Sequence, residues 1–424
     1  MRAPARTIPS LLLSVALATS ILAVMPASAT PSSNQPDVTW MTNGQVYAIT
    51  QSGNTVYLGG KFGSLRQCPP GTSCGPGSTV STVGIGALDA TTGSAIRSFR
   101  HTVSGGTATV FGLAVAGGKL WIGGQFTHVD GQPRLNLAAI DLATDTVDPT
   151  VDHLIGVDTS DRIRGLATNG SLVYAAGYFL TVDGQARKHL AAFQLDGDLD
   201  PTWRPKTAGL ARTLTFDCDG HVVAGGSFRK AGGSTTANEA RATLAIFHPA
   251  SGALDPWTPD NANIPNGVNA FDLDRSCASG DQRLFAGYGG SNAIYGFDLD
   301  DDFGDILFAT KTGGNVQTVA VRGDRVFFGG HFSQVSVNCP WVSGNENDAR
   351  TRFAMSDLNG CTRNANTSNP LDGWTPSFSG KFYGPWDIHT NATHVWVGGQ
   401  FTDVSGTPQY FVARFAGCRS QTIF

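Results

Sequence analysis

Little in this 424-residue chain would build a helix, because sustained 3.6-residue apolar periodicity is hard to find anywhere in it. After residue 24 there is no apolar run long enough to cross a bilayer, so a membrane span is not expected. A basic stripe is also missing, which argues against nucleic acid as a partner. There is no Gly-x-Ser-x-Gly elbow and no Cys-x-x-Cys or His-x-x-x-His spacing for a transition metal. Glutamate is scarce, whereas a glycosidase needs two unrepeated carboxylates at a fixed separation. These absences remove the easily recognised enzyme classes.

Turn residues are abundant, with 53 Gly and 21 Pro, as many short strands require. Residues 1–29 read as an export signal: Arg2 and Arg6, an apolar stretch over residues 11–24, and a small-x-small site at Ala27-Ser28-Ala29. The exported chain would begin near Thr30 as a single domain over 30–424. Without Arg2 and Arg6 it carries 27 basic against 33 acidic residues, a mildly acidic balance.

One pattern recurs down the chain. Repeat one has VYLGGKF at 56–62, repeat two LWIGGQF at 120–126, repeat three VYAAGYF at 173–179 and repeat four VVAGGSF at 222–228. Repeat six has VFFGGHF at 326–332 and repeat seven VWVGGQF at 395–401, while a degenerate LFAGYG at 284–289 fills the place of repeat five. An internal repeat overrides the two or three domains that length alone suggests. Repeat three predicts four strands, at 162–168, 173–179, 189–195 and 199–203. Their apolar runs, rather than clean alternation, imply sheets covered on both faces, as in a radial array. Paired glycines would let adjacent sheets approach closely, with the following Phe filling the gap.

The seventh unit stops after its third strand, whereas residues 36–40 (PDVTW) match Asp200-Pro201-Thr202-Trp203. The expectation is therefore an all-β, seven-bladed propeller of four-stranded blades, closed by residues 36–42 completing the last blade, which leaves no free sheet edge at the seam. The pattern GGxF, xxVxGxxR, xxLAxxxLxxGxLDPxW resembles the delta-sixty propeller repeat of secreted bacterial proteins. That resemblance spans nearly all of the exported chain and implies the fold, without implying an activity.

Seven Cys in an exported chain read as disulfides with one left over. Cys68 and Cys74 share one loop, and Cys218 and Cys277 occupy equivalent turns in repeats four and five. Cys361 and Cys418 both end third strands, leaving Cys339 as the odd one.

Positions that recur from repeat to repeat are explained by the repeat, and positions that differ are free for function. By this test Asp130-Gly131, Asp183-Gly184 and Ser405-Gly406 are turns. Arg134, Arg187 and Arg241 are ties to neighbouring blades, and Asp148, Asp200, Asp255 and Asp372 belong to the outer-strand turn. The run Asp298, Asp300, Asp301, Asp302 and Asp305 reads as a solvated turn, with a calcium loop as the alternative and no other cofactor expected. Two series vary. One place into the first strand stand Tyr47, Phe111, Arg164, Arg212, Asn269, Gln317 and Trp386. Between GG and F stand Lys61, Gln125, Tyr178, Ser227, His331 and Gln400, with Tyr288 or Gly289 in repeat five. Both series fall near one mouth of the central channel, where Tyr178 and His331 join the first series as ligand-binding candidates; inter-blade packing is the bland alternative. The longest loops, 63–82, 229–241 and 333–350, fall on the same face, as do His101, His128, His153, His189 and His331.

The reading that follows is a secreted, monomeric, non-catalytic binding propeller for a glycan, a cell-envelope component or a protein partner. The alternative is an extracellular carbohydrate-active hydrolase or lyase at the channel mouth, with Asp158, Asp161 and Asp387 as its carboxylates. A purely structural surface module is the third reading.

Overall fold

The computed structural model describes residues 31, 33–158, 160–234, 239–259, 264, 269–278, 281–300, 303–336, 347–358 and 373–417. Residues 1–29, expected above to be an export signal, lie outside these, as do Cys339, Trp341, Cys361, Asp372, Cys418, Asp301 and Asp302. Among the described residues there is no α-helix, and no helix is long and apolar enough to cross a membrane.

Each repeat contributes an antiparallel sheet whose strands follow chain order outward from an inner strand. In repeat one these strands are Gln45–Ser52, Thr55–Lys61 and Ile85–Asp89; in repeat three they are Arg162–Thr168, Leu172–Tyr178 and Leu190–Gln194. Among the described residues, the fourth strand expected of every sheet is full length only in repeat five, as Ile306–Lys311, and is two residues long in repeat two. In repeats one, three and four it shrinks to single bridges, Leu88 with Ala95, Phe193 with Leu199 and Phe247 with Leu254. In repeats three and four an Asp-Pro follows at once, at 200–201 and 255–256, and proline has no N–H to continue a ladder.

Successive sheets pack face to face. Ala114 and Trp121 of repeat two share a cluster with Ile163, Val173 and Phe179 of repeat three, and Phe285 of repeat five packs with Val316 and Phe328 of repeat six. Repeat one packs in the same way on Trp396, Phe411 and Val412 of repeat seven. The chain is a β-propeller. Near its start, the Asp37 N–H donates to the Arg414 carbonyl at 2.7 Å. That bond repeats those of Asp148 to Ala139, Asp200 to Ala192 and Asp255 to Ile246 in their own sheets.

The two glycines of the GG pair do different jobs. A Cβ on the first would strike the next sheet: at Gly123 it would meet Ile163 Cγ2 at 2.5 Å, and at Gly398 Val46 Cγ1 at 2.6 Å. A Cβ on the second would collide within its own sheet, Gly124 with the Thr109 carbonyl and Gly60 with that of Gln45. The following Phe is buried as expected at 62, 126, 179, 228, 332 and 401.

After the Phe, the chain folds a small hairpin beside the segment that leads into the inner strand. Ser64–Arg66 and Thr79–Ser81 thus pair beside Met41–Thr42, and Lys230–Gly232 and Glu239–Ala240 beside Lys206–Thr207. The described ends of the long loops belong to these hairpins, at the end where the inner strands begin. Disulfides join Cys68 to Cys74 and Cys218 to Cys277, as expected, and suit an oxidising compartment.

We expect Gly124→Ala to lower the urea midpoint by the equivalent of about 2 kcal/mol or more, because strand backbone must give way. Gly75→Ala, where an added Cβ would meet nothing within 4 Å and φ is outside the left-handed range, should stay within about 0.5 kcal/mol of the parent. Equal midpoints for the two variants would refute the steric assignment.

Candidate functional site

Every inner strand slips register by one residue against its neighbour at the same place. The slip falls between Val46 and Ala48, Val110 and Gly112, Ile163 and Gly165, and Ala211 and Thr213. It recurs between Ala270 and Asp272, Val316 and Thr318, and Pro385 and Asp387. Such a bulge leaves one residue out of the ladder and re-aims its side chain. The residues left out are Tyr47, Phe111, Arg164, Arg212, Phe271, Gln317 and Trp386, and all of them line one cavity of about 230 Å³.

Six of these were expected from the sequence; in repeat five Phe271 replaces the expected Asn269. Asn269 instead pairs with Gly289, two residues before the bulge. The register was obscured because Tyr288 stands where the other repeats have their second glycine. Its ring is buried and its hydroxyl lies 3.2 Å from Thr243 Oγ1. A Cβ at Gly289 would collide with the Phe271 ring, so the glycine has moved to where the bulged side chain needs room.

One side of the mouth is an aromatic arc. Ring centroids run from Phe382 to Tyr383 at 4.9 Å, on to Trp386 at 5.3 Å, Tyr47 at 5.6 Å and Phe111 at 5.1 Å. Phe382 and Tyr383 are 61% and 42% exposed, so the arc opens to solvent at its outer end. The Gln317 amide nitrogen donates to the Tyr383 and Pro385 carbonyls at 3.0 and 3.1 Å, and the Tyr383 N–H donates to Gln400 Oε1, which fixes this rim. His331 pairs with Asn315, two residues before the bulged Gln317, with its ring 4.0 Å from that of Phe382. Tyr178 is exposed on the rim under the Arg162 guanidinium. Neither His331 nor Tyr178 lines the cavity itself.

The other side is cationic. Arg164 lies over the Phe111 ring and Arg212 over the Phe271 ring, each at 4.3 Å. Burial, with the neighbouring arginines, lowers Arg164 to about 9 and Arg212 to about 10, so both remain charged at neutral pH. Deeper down stand two carboxyls, one expected and one not. Asp387 Oδ2 accepts the Ile49 N–H of repeat one at 2.5 Å. Asp272 Oδ2 accepts the Val319 N–H and the Thr318 hydroxyl of repeat six, each at 3.0 Å. Burial lifts Asp272 to about 7 against those hydrogen bonds, and burial with the charge of Asp272 lifts Asp387 to about 8. The missed signal for Asp272 was alignment: both carboxyls follow the bulged residue directly, where other repeats carry Ala48, Gly112, Gly165, Thr213 and Thr318.

The other proposed carboxylates are not in the cavity. Asp161 Oδ2 accepts the Val157 and Asp158 N–H groups at 2.8 and 2.9 Å, and Asp158 Oδ1 accepts the Ser160 N–H. Both shape one turn. The recurrent polar residues are structural, though not as drawn from sequence. The guanidinium groups of Arg134, Arg187 and Arg241 donate within their own repeats, to the carbonyls of Asp148, Asp200 and Asp255 at 2.9–3.1 Å, rather than to neighbouring blades. His101 and His153 pair with Asp130 and Asp183 of the following repeats at 2.6 Å, so these turns also clamp neighbouring units. In the acidic run of repeat five, Asp298 accepts the Asp300 N–H and Asp300 accepts the Gln282 N–H, as in a closed turn.

The Asp387 shift has a thermodynamic sign. An unfolded Asp releases its proton near 4, whereas the folded group keeps it to about 8. Its contribution is therefore complete below pH ~4 and is lost as the pH rises through about 8. Asp387→Asn keeps an acceptor for Ile49 without the titration. We expect it to gain on the parent by about 1.4 kcal/mol per pH unit from pH 5 to about 8, roughly 4 kcal/mol in all; identical pH profiles of denaturation would remove Asp387 as the titrating group.

The family comparison agrees with the fold and goes no further. The family described as "Domain of unknown function (DUF5122) beta-propeller" matches residues 167–202. No curated protein matches the chain in sequence. Among solved structures it is similar to the computationally designed Ika8 protein at 13% identity and TM-score 0.48, over 90% of this chain and 100% of that one. It is similar to the WD40 beta propeller domain of Doa1 at 10% identity and TM-score 0.46, over 91% and 97%. A third is the extracellular domain of the putative hybrid two component system BT4673 from B. thetaiotaomicron, at 13% identity and TM-score 0.48, over 90% of this chain and 39% of that one.

Proposed function

We propose that the chain is an exported, monomeric propeller of seven blades that binds a glycan at its channel mouth. In this reading residues 1–29 are the export signal and 30–424 form one domain, with the N-terminal segment completing the last blade. The Asp37 to Arg414 bond supports that closure, as does the contact of Asp387 with Ile49 across the seam between repeats seven and one. The two disulfides support export.

The observation that carries the binding reading is the aromatic arc from Phe382 to Phe111. Five rings exceed what closing a channel requires, and two of them face solvent. Flat aromatic faces give the C–H faces of a sugar ring a large contact at little entropic cost, with polar groups in the same mouth to fix its orientation. A protein or cell-envelope partner would use the surrounding hairpins as well.

A second reading has one observation in its favour. Asp272 and Asp387 are carboxyls that hold protons near neutral pH in the same cavity, as a general acid of a hydrolase or lyase would. Their oxygens already accept backbone N–H groups, which makes binding the leading function.

Titration of the purified protein against immobilised oligosaccharides, with calcium and with chelator, tests the reading. Tyr383→Ala and Trp386→Ala should each weaken binding about ten-fold or more. Unchanged affinity in both would remove the mouth as the site, and new reducing ends would make the protein an enzyme.

A further inference from the structure

We propose that the mouth is selective for an acidic sugar, a uronic-acid residue at a chain end whose carboxylate is held between Arg164 and Arg212. This rests on the glycan reading and adds to it the chemical class of the ligand. Both arginines arise from the bulge, so their side chains leave the sheet for the cavity instead of the ladder. Each guanidinium lies against a ring, Arg164 on Phe111 and Arg212 on Phe271. That contact restricts the side chains and leaves their N–H edges free for an acceptor.

What the two groups lack is a counter-charge. Among the described residues, the charges that bear on Arg164 are Arg212, Arg162 and Tyr47, and the one that bears on Arg212 is Arg162. The Arg212 Nε and the Trp386 Nε1 are buried donors without an acceptor. Asp272 and Asp387 do not make good the deficit, because at and below neutral pH both carry protons to a large extent. Two like charges removed from water with no opposing ion are costly, and the cost falls when an anion enters. A planar carboxylate offers two acceptor oxygens to guanidinium forks, a match that a lone hydroxyl cannot make.

Size and position narrow the class. A cavity of about 230 Å³ is small for a ligand site and is walled by Ile49, Leu113, Leu166 and Leu214. It suits the terminal residue of a chain rather than its middle. Phe111 touches both halves of the mouth, with Tyr47 at 5.1 Å on one side and Arg164 at 4.3 Å on the other. A sugar ring against Tyr47 and Trp386 therefore has its exocyclic C6 group within reach of Arg164. In a uronic acid that group is the carboxylate.

The test is a matched pair: trigalacturonic acid and the same trisaccharide with its carboxyl groups reduced to primary alcohols, each titrated calorimetrically into the full exported chain. The acid should bind about ten-fold tighter or more, as expected for charge-assisted hydrogen bonds. Arg164→Gln with Arg212→Gln should abolish that preference, so that the variant binds the acid and the reduced trisaccharide with equal affinity. The parent protein alone decides the main question, so the result does not depend on the double variant folding. Equal affinity for the two trisaccharides would overturn the acidic-sugar assignment and leave the glycan reading standing. Binding of other neutral sugars but neither of these would do the same. Absence of binding to any sugar would overturn both.

Discussion

The constraint on which the rest of the structure depends is a one-residue excess in each inner strand. A strand with one residue too many must bend, and it bends into the strand beside it. The second glycine of the GG pair is required there: at Gly60, Gly124 and Gly177 a side chain would occupy the place of a carbonyl of the inner strand. The first glycine answers to the next sheet, where Val or Ile side chains press against its Cα, as Ile163 does at Gly123. What looks in sequence like a single motif is two steric demands at adjacent positions, one from inside the sheet and one from its neighbour.

Around that core, polar residues recur because the connections between units need them. Asp130 and Asp183 take up left-handed turns at φ 50° and at the same time accept from His101 and His153 of the preceding segments. The arginines of Arg134 type fasten the hairpin of a unit to its own outermost segment. Near the axis, where the edge N–H groups of the inner strands have no ladder partner, Asp272, Asp274 and Asp387 supply acceptors to Val319, Val321 and Ile49 of the next unit. Each of these carboxyls satisfies a backbone donor, at the cost of being far from water itself.

The repeat was legible in the sequence because steric demands are local: the second glycine, the Phe, and the spacing between them survive in six units, five of them with the full GG pair. The residues of the mouth were legible for the same reason, since a fixed offset from the glycines locates the bulge. Legibility ended where the motif did. Tyr288 at the second glycine place displaced the register of repeat five by two residues, which substituted Asn269 for Phe271 and concealed Asp272. Asp158 and Asp161 misled differently, because an unrepeated carboxylate can serve a local turn as readily as a ligand. Contacts such as Arg164 on Phe111 lie between residues far apart in the chain and could be reached only through the fold.

The bulged residues take no part in the backbone ladder, and that separates two kinds of selection. Tyr, Phe, Arg, Gln and Trp all occupy the position here, in sheets that otherwise keep one geometry. Drift at these sites can therefore rewrite the chemistry of the mouth without endangering folding, whereas a side chain added at the glycines must displace the inner strand or the next sheet. Relatives built on this repeat should diverge fastest in specificity at the very positions closest to the axis, the reverse of the usual gradient in which variation rises toward the surface.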